Sequence, residues 1–328
     1  MNSVADRFSG RRAFVTGGNG FIGANLVREL LRQGAHVHLL LRPQADTRRL
    51  QGMAGEIRIH HGDITDGFAL AAAFDTAAPD FAFHLATARG NDPAAWARLA
   101  ETSAIGALRL IDALQNNSVT RLVVAGSSLE YGPAIHPHQE MDALAPTTWH
   151  GVGKAMASLA YRQAAASMQL SINQLRLFHV YGPWEAAYRL LPTAIGAALA
   201  GQPLPLTRPG IKRDWVYVED VVEALLAAAL ADRQGEVYNI GSGTETSNEE
   251  VVSIVEQVTG KLIARQPHAF LPSASDTDHR CADIGKARAD LGWSPRHDLA
   301  DGIAATLAWC RLNPSAWESG MGGRPQHV

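Results

Sequence analysis

Short apolar runs rich in β-branched and aromatic residues alternate with longer Ala- and Leu-rich segments through the first half of this chain. Arg12–Thr16, His36–Leu41, Ile57–His60, Phe81–Leu85, Arg121–Ala125 and Ser171–Leu177 read as strands. Gly23–Gln33, Ala94–Asn116 and His150–Met168 read as helices between them. Strand–helix alternation at this spacing predicts a parallel sheet with helices on both faces. Right-handed crossovers then give a doubly wound α/β fold. After Tyr181-Gly182-Pro183 the texture changes: Pro192, Pro203, Pro205 and Pro209 interrupt the alternation. Short pieces follow at Asp214–Val218, Val221–Leu230, Val237–Ile240 and Asn248–Thr259. The pattern divides the chain into a main α/β domain over residues 1–182 and a smaller C-terminal α/β lobe over 183–316. Part of that lobe is expected to return to the main sheet. Residues 317–328, rich in Gly, Pro and polar side chains, are expected to be a disordered tail.

Composition narrows the classes. The 328 residues are 46% hydrophobic and 19% charged, with a formal net charge of -3 and no basic block, which argues against nucleic acid as a partner. Two cysteines, Cys281 and Cys310, make no disulfide framework and suit a reducing compartment. The segment Met1–Arg12 has no apolar signal core, and the apolar run Val221–Ala231 is about half the length of a membrane span. A cytoplasmic protein without membrane attachment is the expectation.

The first chemical signal is Thr16-Gly17-Gly18-Asn19-Gly20-Phe21-Ile22-Gly23, between a strand and a helix. Gly17, Gly20 and Gly23 have the spacing that lets backbone approach a pyrophosphate. The free N–H groups of the helix start then meet its charge. This makes the main domain a Rossmann-type, NAD(P)-binding one, with Phe21 and Ile22 in the phosphate turn. At the end of the second strand Arg42 stands where an acidic residue would accept from a free ribose. A guanidinium suits a 2′-phosphate, so NADP is expected over NAD, with NAD not excluded. Asp63 and Ile64, after the third strand, are placed to flank an adenine, and Leu85 and Ala86 stand at the end of the fourth strand.

The ordered motifs extend further: Phe83-His84-Leu85-Ala86, Ser127-Ser128-Leu129-Glu130-Tyr131-Gly132, Lys154 in a G-x-G-K helix start, Arg176 to Pro183, Arg213 to Asp220, Tyr238 to Gly243, and Leu291 to Pro295. Together they resemble the extended short-chain dehydrogenases, the NAD-dependent epimerase/dehydratase family that modifies nucleotide sugars, from about Arg12 to Trp309. The resemblance implies a nucleotide-sugar substrate lying across the C-terminal lobe and a homodimer formed by the Ala94–Asn116 and His150–Met168 helices. Alanines at 155, 157, 160, 164, 165 and 166 would permit close packing there, or equally against the chain's own sheet. Arg213 and Arg280 match the residues that clamp the diphosphate, and His179 stands where the family has an asparagine.

The family's chemistry uses Ser or Thr, Tyr and Lys. By resemblance Ser127 binds the reacting sugar oxygen, with Ser128 beside it on the substrate, and Lys154 holds the nicotinamide ribose. Four residues before Lys154 stands His150, not tyrosine. Three roles are open to it: the proton-transfer group, a hydrogen bond to a sugar hydroxyl, or a member of a site that binds without redox turnover. Gly153 and Ser103 also depart from the family's serine and asparagine. Glu130 is a further acid/base candidate. The Ser128-Leu129 pair replaces the Asp-Glu that a 4,6-dehydratase needs, which disfavours that elimination. No metal-ligand spacing is present. His136, His138 and Glu140 lie in a Pro-containing loop expected to act as a substrate lid. The expected activity is keto reduction of a nucleotide sugar with NADP. The alternatives are a sugar epimerase with tightly held cofactor and a non-catalytic binding protein.

Overall fold

Parallel pairing runs through the whole central sheet of this protein. In the computed structural model, which describes residues 7–88, 95–116, 121–271, 273, 274 and 276–314, the sheet has seven strands. Six come in sequence: β1 (Arg12–Thr16), β2 (His36–Leu41), β3 (Ile57–His61), β4 (Phe81–His84), β5 (Arg121–Ser127) and β6 (Ile172–Leu177). Three short strands follow, β7 (His179–Tyr181), β8 (Leu204–Pro205) and β9 (Lys212–Tyr217), before β10 (Val237–Ile240) returns to supply the seventh. The spatial order is β10-β6-β5-β4-β1-β2-β3. The direction of winding therefore reverses between β1 and β4, and the crevice at their carboxyl ends is where such sheets bind ligands.

Two apolar layers cover the sheet. One contains Val15, Val27, Leu39 and Leu225; the other contains Phe14, Leu70, Leu110 and Tyr161. Helix α1 (Phe21–Arg32) lies in the first layer, and α2 (Gly67–Ala77) in the second. The second layer also takes the helix that reads as one piece in the sequence. It is α3 (Ala95–Ala100), a π turn over Glu101–Ile105, and α4 (Gly106–Gln115). Helix α5 (Trp149–Met168) packs beside it, burying Gly151, Gly153, Ala155, Ala157, Ser158, Tyr161 and Ala164. The alanine face of α5 thus meets the chain's own core. Its exposed stripe is Trp149, Met156 and Leu159, beside Trp96, Ile105 and Leu108 of the neighbouring helix.

After β6 come α6 (Leu190–Ala200), α7 (Val218–Leu230), α8 (Asn248–Thr259), α9 (Gly285–Leu291) and α10 (Leu299–Leu312) with two small sheets; α7 lies on the central sheet, against α1, β5 and β6. β11 (Glu245–Ser247) pairs antiparallel with β9, which pairs parallel with β7; β12 (Arg265–Gln266) pairs with β8. Local capping fixes several helix starts. Ser247 and Glu250 form a reciprocal capping box on α8, and the Asp298 carboxylate caps α10. Pro192, which reads as a breaker, sits in the first turn of α6, where no N–H is needed. No helix among the described residues is long and apolar enough to cross a membrane. The tail from residue 317 lies outside the described residues.

Candidate active site

The glycine loop is shaped by contacts that only glycine tolerates. Gly17 has φ +74°, and a Cβ there would lie 2.6 Å from the Ala86 nitrogen and from the Leu85 carbonyl carbon. A Cβ on Gly23 would overlap the Gly17 carbonyl oxygen. The loop therefore sits tight against the chain leaving β4, and Leu85 N–H donates to the Thr16 carbonyl at 3.0 Å. Gly20 caps α1 without a side-chain hydrogen bond, so the first N–H groups of Phe21 and its neighbours face the crevice unclaimed by a cap. These residues fit a dinucleotide pyrophosphate. Arg42 is exposed at the end of β2. Asn19 Nδ2 donates to the Asp46 carbonyl at 2.9 Å, tying the loop after Arg42 to the glycine loop. Ile64 is buried beside β3, whereas Asp63 spends its Oδ1 on the N–H and hydroxyl of Thr65.

β5 ends at Ser127, whose side chain is nearly buried and accepts from Leu129 N–H at 3.2 Å. Ser128, buried too, begins the single turn that follows. Helix α5 starts against this turn. A Cβ on Gly151 would overlap the Leu129 carbonyl oxygen, so glycine is what lets the helix start approach so closely. The Thr148 hydroxyl caps the helix by accepting from Gly151 N–H at 3.1 Å. His150 is the second residue of α5, and Lys154 lies one turn on, on the same face. Gly153 faces the π turn, where a Cβ would come within 2.9 Å of Ser103 Oγ.

Lys154 Nζ donates to the Ala125 carbonyl at 2.6 Å. Burial lowers its pKa to about 8, opposed by the charge of Glu130. A small cavity beside it is lined by His84, Ser103, Glu130, Ser158 and Gln174. His84, which sequence reasoning missed as a site residue, shares a 2.7 Å hydrogen bond between Nδ1 and Thr16 Oγ1. Burial, then the Lys154 charge, lowers its pKa to about 3, so it is neutral.

Glu130 is engaged by the protein on both carboxylate oxygens. It is fully buried; Oε1 accepts from Ser127 N–H at 2.8 Å and Oε2 from Arg176 Nε at 2.9 Å. Each oxygen takes one donor from the protein, and through Oε1 the side chain holds the Ser127 backbone. The expected lid is corrected. His138 is buried and stacks on Tyr131 with ring centroids 4.5 Å apart. Its N–H donates to the Cys281 carbonyl, and its own carbonyl accepts from Asp283 N–H, both at 2.8 Å. Asn239 N–H donates to Glu140 Oε1 at 2.8 Å as well. The segment is a pinned strap: His138 is tied to the Cys281–Asp283 stretch and Glu140 to β10 and β6 of the central sheet.

Cations gather on the lobe side. Arg213 and Arg280 are both nearly buried. Arg213 donates to the Thr277 carbonyl at 3.1 Å and pairs with Asp276 at 3.4 Å. Burial, then the Arg213 charge, lowers the Arg280 pKa to about 10; it stays cationic at neutral pH. His179 packs on Trp215 with centroids 4.1 Å apart, and burial with the charges of Arg189, Arg213 and Arg280 pushes its pKa well down. It is a neutral imidazole among three guanidiniums. Arg189, the N-cap of α6, had no sequence signal beyond its place ahead of Leu190-Leu191-Pro192. Among the described residues no three His, Cys, Asp or Glu side chains converge as metal ligands.

Comparison with known proteins gives the family. Residues 13–241 match the model of the NAD dependent epimerase/dehydratase family. A dTDP-glucose 4,6-dehydratase of Streptomyces griseus is 30% identical, over 93% of this chain and 95% of that one. An epimerase from Methanothermobacter thermautotrophicus superposes with a TM-score of 0.87 at 28% identity, covering 96% of each chain. A Bordetella bronchiseptica enzyme in complex with NAD and UDP does so with a TM-score of 0.82 at 27% identity, over 93% of this chain and 96% of that one. The chain belongs to the NAD dependent epimerase/dehydratase family, whose members include enzymes that act on nucleotide sugars.

Proposed function

We propose that this enzyme reduces a keto group on a nucleotide sugar, using NADP and an atypical Ser127–His150–Lys154 site. The observation that carries the reading is the close approach of α5 to the turn after β5. Gly151 lies against the Leu129 carbonyl, two residues after Ser127, and His150 and Lys154 stand one turn apart on the helix that starts there. The Ser127 hydroxyl binds the sugar carbonyl and stabilises charge as it develops on that oxygen. His150 delivers the proton to the same oxygen. Imidazole titrates near neutrality and suits proton transfer there. Lys154 holds the nicotinamide ribose and keeps a positive charge beside the reacting centre. The dinucleotide, when bound, supplies the hydride; Gly17, Gly20, Phe21, Ile22, Gly23, Ile64, Leu85 and Ala86 hold it, with Arg42 on the 2′-phosphate and Asp63 at the adenine edge. Across the cleft Arg213 and Arg280 hold the diphosphate, with the neutral His179 donating beside them.

Elimination of water, the reaction in the name of the Streptomyces griseus relative, needs an acid and a base next to the hydroxyl-binding residue. Here those positions are Ser128 and Leu129, and Glu130 has both oxygens committed. The name of the Methanothermobacter neighbour favours epimerisation as the second reading. Consumption of NADPH in step with keto sugar separates reduction from epimerisation, which returns the cofactor unchanged. A panel of UDP-, GDP-, CDP- and dTDP-sugars, read by melting temperature and then by NADPH absorbance, tests the proposal. A ligand at about a hundred times its Kd stabilises by about 2.7 kcal/mol. No shift with any member of the panel overturns the nucleotide-sugar reading.

A further inference from the structure

Asp214 follows Arg213 in β9 and is almost wholly buried. Four hydrogen bonds from nitrogen and hydroxyl donors converge on its carboxylate, and the Cys281 thiol lies 3.9 Å from Oδ2. Oδ1 accepts from Ser242 N–H at 2.5 Å and from the Ser242 hydroxyl at 2.7 Å. Oδ2 accepts from Gly243 N–H and from Ala282 N–H, both at 3.0 Å. A Cβ on Gly241 would overlap Oδ2, so the carboxylate lies flat against that backbone. One side chain thereby joins three segments: the strand that carries Arg213, the turn after β10, and the stretch that carries Arg280. Glu245, opposite Asp214 in the β9–β11 register, completes the frame by accepting from Arg280 N–H at 2.6 Å.

A buried carboxylate is costly to desolvate unless its oxygens are satisfied, and here each oxygen takes two donors. What this arrangement fixes is a distance. Arg213 and Arg280 are far apart in sequence, and a diphosphate is gripped well only when both forks keep their spacing within about 0.5 Å. Arg213 reaches that stretch itself, donating to the Thr277 carbonyl at 3.1 Å, but it is the Asp214 carboxylate that ties the backbones of the two segments together.

We propose that Asp214 is the positioning residue of the diphosphate site: it holds Arg213 and Arg280 at the separation a diphosphate needs, without touching the ligand. The proposal rests on the reading of those two arginines as the clamp. It predicts that loss of the carboxylate harms ligands that span both arginines more than ligands that reach one. UDP and UMP are the probes, with NADPH as control, titrated calorimetrically against the full-length protein. In Asp214→Asn the affinity for UDP falls about tenfold, UMP falls by no more than about threefold, and NADPH is unchanged. A residue that merely stabilised the fold would lower the melting temperature and leave the UDP-to-UMP ratio alone. Ser242→Ala, which removes one donor and keeps the carboxylate, shows the same selective loss at smaller size and decides the matter if Asp214→Asn does not fold. An unchanged UDP-to-UMP ratio in these variants, with Arg280→Ala losing UDP, overturns the positioning role and leaves the clamp standing. Full UDP affinity in both Arg213→Ala and Arg280→Ala overturns the clamp and the proposal together.

Discussion

The ammonium of Lys154 donates to the carbonyl oxygen of Ala125 at 2.6 Å, from a helix to the interior of the neighbouring strand. Burial has drawn its pKa down to about 8, below the value of about 10.4 for an exposed lysine. The unfolded chain therefore binds more protons between those values, and this group makes stability rise with pH across that window. The charged lysine costs the fold stability at neutral pH and serves the site instead. Lys154→Met should melt higher than the unmodified protein at pH 7, by roughly 2–4 °C, with the gain shrinking as pH rises from 8 towards 10. NADPH affinity should fall in the same variant. Scanning calorimetry at several pH values checks the first part, and fluorescence titration the second. A lower melting temperature at pH 7 would show that the hydrogen bond outweighs the desolvation.

Arg42 is exposed at the end of β2, free to meet a phosphate. NADPH should bind more tightly than NADH. Arg42→Ala should remove most of the difference, about 2 kcal/mol or thirtyfold. Titration of both cofactors against both proteins decides it. Equal affinities in the unmodified protein would assign the cofactor as NAD, the one bound in the Bordetella bronchiseptica enzyme.

Ile105, Leu108, Met156 and Leu159 are each 41–56% exposed on the outer face of the α3–α5 layer. The Trp96 and Trp149 rings lie beside them, 5.9 Å apart. Apolar surface of this kind on adjacent helices suits a two-fold partner. We expect a homodimer through this face, and Leu108→Glu with Leu159→Glu should yield a monomer by sedimentation velocity. A monomer before substitution would contradict the expectation.

The fold was legible where pattern is local. β1, β2, β10 and α8 have the bounds that alternation and helical spacing gave them. The π turn at Glu101–Ile105 was not, because a helix widened by one residue keeps nearly the same apolar spacing. α6 was hidden by Pro192, which reads as a breaker until its place in the first turn is known. β7, β8, β11 and β12 span two or three residues each and carry no period. In the site, the glycine loop was readable because the positions that must be glycine are set by close approaches of the backbone to itself and to the exit of β4. Glu130 and His138 were not, since their roles are set by partners distant in sequence: Arg176 on β6 for one, Cys281 and Asp283 for the other. A carboxylate or imidazole looks the same in a sequence whether it is free or already engaged.

The role of His150 is the centre of the account, and single-turnover reduction by a His150→Phe variant tests it most directly. Phenylalanine keeps an aromatic ring on α5 and removes the transferable proton. The unmodified protein should lose kcat as rising pH removes the proton from the acid, whereas His150→Tyr, if active, should hold its rate to higher pH. The account predicts that His150→Phe loses roughly 10²–10⁴-fold in kcat with NADPH affinity unchanged. Turnover by His150→Phe within a few-fold of the unmodified protein would contradict it and move the proton donor to another group.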